Sequence, residues 1–137
     1  MTASLDTNLL LRLTLRDVPE QYDCVKSLIK APGARYFVSD LAIAEMVHAL
    51  QHHYGFTRSQ VAEVVRAVLT DPGIEANRAL LDPVLSSFVN QPALSYSDCY
   101  LAEEARLSGR VPLLTFDRDL ARHHPSAQLA RTREETT

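Results

Sequence analysis

Four acidic residues stand where a helix or strand is predicted to begin or end, or where an apolar run is interrupted. They are Asp6, Glu45, Asp98 and Asp117. Carboxylates that converge on one pocket repel one another unless cations lie between them, and oxygen ligands favour Mg²⁺ or Mn²⁺. Such ions can activate a water molecule for in-line attack on a phosphodiester. The four acids therefore predict metal-dependent phosphodiester hydrolysis without a covalent nucleophile.

Glu45 is the acid that ordinary structural roles explain least well. The segment Leu41–Leu50 is apolar except for Glu45 and His48. An acid in the middle of a helix cannot cap its end, so the main structural alternative is a buried ion pair, for instance with an arginine. Zinc binding by His48 and His52 is a minor alternative, because the glutamate of the metalloprotease pattern is missing between them.

Helix capping is the structural alternative for the other acids, because aspartate is a common N-cap residue. It is left open for Asp6, Asp98 and Asp117, and it is assigned to Asp40. Asp119 is left open between a metal ligand and a solvated turn, and the pair His123–His124 is expected in an exposed turn.

Strand and helix signals alternate along the chain. Strands are predicted over Ala3–Asp6, Arg35–Val38, around Ile74, over Val111–Thr115 and over Ala127–Ala130. Helices are predicted from Asn8 to Arg16, from Pro19 or Glu20 to Lys30, from a Ser39 or Asp40 cap to Tyr54, from Thr57 to Asp71, from Asp82–Pro83 onward, from Ser97 to Gly109, and as a turn or short helix over Asp117–Arg122. The alternation indicates an α/β fold with a central, mostly parallel sheet of four or five short strands flanked by helices.

The length of 137 residues suits a single domain, predicted over residues 1–131 and followed by a polar tail over 132–137. The net charge of −3 argues against a passive nucleic-acid binder but not against an enzyme that holds cations. The chain has no apolar run long enough for a membrane span and no signal-peptide pattern, so a cytoplasmic location is expected. Cys24 and Cys99 match no metal-binding spacing and are expected to be buried or half-buried.

Four segments together resemble the PIN-domain ribonucleases, and within them the VapC-type toxins of toxin–antitoxin pairs. They are Leu5-Asp6-Thr7-Asn8, Ser39 to Glu45, Tyr96-Ser97-Asp98, and Leu113 to Asp119. Their order and spacing fit over about residues 3–131. The resemblance implies that Asp6, Glu45, Asp98 and Asp117 are catalytic metal ligands, and that Asn8, Thr115 and Asp119 support them.

The same resemblance implies a Mg²⁺- or Mn²⁺-dependent endoribonuclease that cleaves RNA such as tRNA or rRNA. It also implies a homodimer silenced by a VapB-type antitoxin protein. Cys99 and Phe116 depart from the family pattern, where a small alanine and a polar residue are usual.

Two other functions compete with this one. An aspartate-nucleophile phosphatase or receiver-like domain fits poorly, because Asn8 stands where the phosphatases need a second acid and the lysines Lys26 and Lys30 lie together in an early helix. An inert PIN-like module that only binds RNA or protein is the other alternative, and it is disfavoured because none of the expected acids is missing.

Overall fold

The computed structural model describes residues 2–132, which divide into two compact units, unit 1 (Met1–Arg78) and unit 2 (Ala79–Thr137). The described strands are β1 (Ala3–Ser4), β2 (Tyr36–Phe37), β3 (Ile74–Glu75), β4 (Leu113–Thr115) and β5 (Ala127–Leu129). The described helices are α1 (Thr7–Leu15), α2 (Pro19–Lys30), α3 (Asp40–His52), α4 (Arg58–Leu69), α5 (Arg78–Asn90), α6 (Tyr96–Leu107) and α7 (Arg118–His123). Of the predicted tail, only Thr132 lies within the described residues.

Every strand pairing among the described residues is parallel, which confirms the predicted α/β class. Unit 1 contains a three-stranded sheet in the order β1-β2-β3, with Ala3 opposite Tyr36 and Tyr36 opposite Ile74. Unit 2 contains a two-stranded sheet in which Leu113 of β4 lies opposite Ala127 of β5. The five predicted strands are thus present, distributed over two sheets of very short strands.

Unit 1 is built around helices whose ends follow local sequence signals. Proline has a fixed φ and no N–H, which suits a first helical position, and α2 begins at Pro19 as predicted. Thr57 and Gln60 form a capping box at the start of α4. The apolar faces of these helices form the core. Its fully buried large side chains include Leu10, Val25, Ile43, Met46, Leu50 and Val61.

In unit 2 the predicted start of α5 at Asp82–Pro83 is wrong. The helix begins at Arg78, and Pro83 lies inside it. An internal proline removes one main-chain hydrogen bond, but the helix buries a row of large apolar side chains here. That row comprises Leu80, Leu81, Val84, Leu85 and Phe88. Packing of this face therefore outweighs the local preference for proline at a helix start.

Helix α6 begins one residue earlier than predicted and buries a different face. Its N-cap is Ser95, whose hydroxyl accepts the N–H of Asp98 at 3.1 Å. Leu101 is 46% exposed on this helix, whereas the charged residue Glu103 is buried. Cys99 is buried as expected.

Two further expectations about exposure are wrong. Cys24 is exposed rather than buried or half-buried. His124 was expected in an exposed turn and is instead 4% exposed, at the C-terminal end of α7. None of the helices in the described part of the chain has both the length and the hydropathy to span a membrane.

Candidate active site

Asp6 lies between β1 and α1. The N–H of Leu5 donates to the carbonyl of Phe37 at 2.9 Å and continues the β1–β2 pairing up to the residue before Asp6. Asp6 is exposed and caps α1, with Oδ1 accepting the N–H of Leu9 at 3.0 Å. The capping role left open by the sequence is therefore present. It engages one oxygen, and Oδ2 accepts no hydrogen bond from residues 2–132, so a cation can reach it.

Glu45 lies on the exposed face of α3, in the middle of the helix. Within residues 2–132 it pairs with no basic side chain, so the alternative of a buried ion pair is wrong. The hydroxyl of Thr7 donates to Glu45 Oε2 at 3.2 Å. The apolar run around Glu45 was misleading because one of its leucines, Leu41, also lies on the outside, 68% exposed. Glu45 is thus an accessible acid held beside the first turn of α1.

Ser39, not Asp40, caps α3. The Ser39 hydroxyl accepts the N–H of Ala42 at 3.1 Å, and Asp40 is the first residue of the helix. The capping role assigned to Asp40 is therefore wrong. Its carboxylate instead accepts a long hydrogen bond of 3.4 Å from the side-chain amide of Asn77.

Asp6, Asn8 and Glu45 line one open cavity of about 620 Å³ in unit 1. Three predicted site residues, from the first turn of α1, its cap and the middle of α3, are thereby brought together. A second cavity in this unit, of about 270 Å³, is lined mainly by apolar side chains, with Arg16 and Asp71 as its charged residues. Only the first of these two cavities offers a pair of acids to a cation.

Asp117 and Thr115 of unit 2 are joined by a hydrogen bond. The N–H of Asp117 donates to the Thr115 hydroxyl at 3.0 Å. Asp117 Oδ1 accepts the N–H groups of Asp119 and Leu120 at 2.9 and 3.1 Å and so caps α7. Thr115 thus supports the main chain that carries Asp117. Asp119 has an exposed side chain, and its role as a ligand stays a prediction.

Asp98 is half-buried in the first turn of α6. It is not the helix cap, since that position belongs to Ser95, so the capping alternative does not explain it. A carboxylate in the first turn of a helix is favoured by the exposed N–H groups there. The orientation of α6 therefore decides where this carboxylate points.

The donor set of unit 1 fits a hard divalent cation. Within residues 2–132, no three histidine, cysteine, aspartate or glutamate side chains are grouped closely enough to hold a metal ion. Mg²⁺ is commonly held by only one or two carboxylates, however, with waters and substrate phosphates as its other ligands. Asp6 and Glu45 are such a pair at one cavity. The participation of Asp98 and Asp117 stays a prediction.

Glu103, which the sequence did not single out, and His124, which was expected in an exposed turn, form a buried polar contact in unit 2. Glu103 Oε1 and His124 Nε2 are 3.0 Å apart, and the Nε of Arg106 donates to Glu103 Oε2 at 2.7 Å. The i, i+3 spacing of Glu103 and Arg106 is a signal visible in the sequence. The partner His124 is not, because it lies 21 residues from Glu103.

The PIN domain family profile matches residues 3–124, which is most of the chain. The protein therefore belongs to the PIN domain family. PIN domains are generally nucleases, which are hydrolases, and they typically bind divalent metals. A search of curated protein sequences finds no significant match.

Proposed function

We propose that the protein is a metal-dependent endoribonuclease that hydrolyses RNA phosphodiester bonds with a metal-activated water. The observation that carries the proposal is the pair of accessible acids, Asp6 and Glu45, at one open cavity of unit 1. Both side chains have unengaged oxygens, and two like charges at one cavity favour the binding of a cation there. Membership of the PIN domain family adds independent support.

The chain's own residues would orient the acids in the following way. Asp6 is held by its cap hydrogen bond to the Leu9 N–H, and Glu45 by the hydroxyl of Thr7. Asn8 supplies an amide at the same cavity. A bound Mg²⁺ or Mn²⁺ would lower the pKa of a water molecule and stabilise charge on the leaving oxygen.

We assign Asp98 and Asp117 to the same reaction as further metal ligands, on the strength of the four-segment resemblance. Asp117 is oriented by its cap to α7 and by Thr115, and Asp98 sits in the first turn of α6.

The biological role that we propose is that of a toxin in a type II toxin–antitoxin pair. It rests on the resemblance to VapC-type toxins, which also implies a homodimer and a VapB-type antitoxin as partner. Growth arrest on expression of this chain, relieved by co-expression of a short gene adjacent to its own, is the expected result. Unimpeded growth of cells that contain the folded protein would contradict the toxin role and leave the nuclease proposal standing.

The nuclease proposal is tested with Glu45→Gln, which removes a charge and preserves the side-chain volume. We expect RNA cleavage with Mg²⁺ or Mn²⁺ to fall by at least about 100-fold, since even outer partners of metal ligands contribute 10- to 100-fold. Cleavage is measured on a mixed tRNA and rRNA substrate, with and without EDTA.

Glu63→Gln is the matched control, because Glu63 is also an exposed acid in the middle of a helix, α4, and does not line the acidic cavity. The Glu63→Gln variant, whose substitution lies outside the cavity of Asp6 and Glu45, should retain full activity. Cleavage that survives both EDTA and Glu45→Gln would overturn the proposed site. Wild-type protein that binds RNA without cutting it would favour the inert binding module.

A further inference from the structure

Glu103 and His124 are the polar residues most deeply buried in the described part of the chain, 8% and 4% exposed. Burying a carboxylate is costly unless its oxygens are hydrogen-bonded and its charge is balanced. Here both conditions are met: Oε1 contacts His124, and Oε2 accepts from the guanidinium of Arg106. Each carboxylate oxygen of Glu103 therefore has a hydrogen-bond partner.

The hydrogen bonds of His124 define its protonation. The main-chain N–H of Ser126 donates to Nδ1 at 3.1 Å, and a ring nitrogen that accepts a hydrogen bond carries no proton. The ring proton is therefore on Nε2, which donates to Glu103 Oε1 at 3.0 Å. His124 in this arrangement is a neutral bridge with one nitrogen directed to each neighbour.

This bridge joins the two helices whose N-terminal ends hold proposed metal ligands. Glu103 lies in α6, whose first turn contains Asp98, and His124 ends α7, whose N-cap is Asp117. Both helices also contact β4. A shift of α7 against α6 would change the separation of the two carboxylates, because each is attached to the start of its helix.

We infer that Glu103 and His124 are positioning residues that set the spacing of Asp98 and Asp117, and through it the affinity for a divalent cation. The inference rests on the proposed function. A contact that served stability alone would lower the melting temperature when broken, yet leave the cation affinity of the folded protein unchanged.

Two substitutions of His124 separate these roles. In Asn the amide oxygen takes the place of Nδ1, so His124→Asn can keep the Ser126 contact but cannot reach Glu103. In Gln the terminal amide takes the place of Nε2, so His124→Gln can keep the bond to Glu103 and loses the Ser126 contact. The inference predicts that only His124→Asn weakens cation binding.

Mn²⁺ binding to the full-length chain is measured by electron paramagnetic resonance at a temperature where every variant is folded. We expect His124→Asn to raise the Kd for Mn²⁺ on the order of tenfold, as disruption of outer partners does at metal sites. His124→Gln should remain within about threefold of wild type. Placed in an Asp98→Asn background, His124→Asn should have no further effect, because the ligand that it positions is gone.

Glu103→Leu gives a second way to break the bridge if His124→Asn does not fold. Leucine is similar in size to glutamate and so opens no cavity, although the Nε2–H of His124 loses its acceptor. In the folded protein this substitution should raise the Kd as His124→Asn does. Equal Mn²⁺ affinity in wild type and a folded bridge-breaking variant would overturn this inference alone. Absence of Mn²⁺ binding to wild type would overturn the proposed function as well.

Discussion

The two units hold their candidate acids by different kinds of contact. In unit 1 the helices that carry Asp6 and Glu45 are connected through the exposed Thr7–Glu45 hydrogen bond of 3.2 Å. In unit 2 the helices that carry Asp98 and Asp117 are connected through the buried contact of 3.0 Å between Glu103 and His124. Solvent competes for the first contact and is excluded from the second.

A second polar contact in unit 1 is only partly exposed, with the Arg12 side chain 12% and the Asp17 side chain 42% exposed. Arg12 of α1 donates to both carboxylate oxygens of Asp17 at 2.9 Å, and its other terminal nitrogen donates to the hydroxyl of Tyr54 at 3.4 Å. The hydrogen bond to Tyr54 and the charge of Asp17 raise the pKa of the Arg12 guanidinium. Its charge is therefore constant at any ordinary pH.

This difference indicates how sensitive each unit is to the loss of a polar contact. Unit 1 depends on helix caps and an apolar core to place its acids, and the exposed Thr7–Glu45 hydrogen bond adds little. Unit 2 has three residues in each strand of a two-stranded sheet, and it adds a buried polar bridge. Disrupting a polar contact should therefore be far more damaging in unit 2.

The largest effect is expected from Glu103→Ala. The substitution opens a cavity and leaves the buried Nε2–H of His124 without an acceptor, so the free energy of unfolding should fall by about 2–4 kcal/mol. Urea denaturation followed by circular dichroism measures it. Glu104→Ala is the matched control, because Glu104 is the exposed neighbour in the same helix and should change stability by less than about 0.5 kcal/mol. Similar losses for both variants would contradict the distinction between the two units.

An intermediate effect, on activity rather than stability, is expected from Asp117→Asn. The amide oxygen can still accept the Asp119 and Leu120 N–H groups, so stability should change by no more than about 0.5 kcal/mol. The lost charge should reduce metal-dependent RNA cleavage by at least about 100-fold.

Asp6→Asn distinguishes the capping role from the ligand role in unit 1. Like Asp117→Asn, it should leave stability nearly unchanged and reduce metal-dependent RNA cleavage. Asp6→Ala should additionally lose about 1 kcal/mol of stability, because alanine cannot cap α1. Full cleavage by either asparagine variant would reduce that aspartate to its capping role.

The smallest effect is expected from Thr7→Val, which removes the exposed hydrogen bond to Glu45. Loss of this hydrogen bond should raise the activation free energy of cleavage by about 0.5 kcal/mol, which corresponds to a two- to threefold lower cleavage rate. Thr7→Ser retains the hydroxyl and should match wild type. If Thr7→Val lost as much cleavage activity as Glu45→Gln, Glu45 would depend on Thr7 for its position. Unit 1 would then be as sensitive as unit 2 to the loss of a polar contact.

Local chemistry determined much of what could be predicted from the sequence. The Thr57–Gln60 capping box, Pro19 at a helix start, and Gly55 and Gly109 with positive φ after helices depend only on residues three or four apart. The acids could be proposed as a set because their order and spacing match a family, and the family membership is confirmed over residues 3–124.

Tertiary packing decided the rest, since the face a helix buries depends on elements distant in the chain. Pro83 became internal because α5 buries an apolar row that begins before it. Glu45 turned out to be accessible and Glu103 buried, although Glu45 lies in the more apolar sequence. His124 contacts Glu103, which lies 21 residues away in the sequence, and no local sequence pattern predicts this pairing. The sequence by itself thus predicted the acids as a set, whereas the tertiary structure decided which polar residues face solvent and which connect the helices that carry those acids.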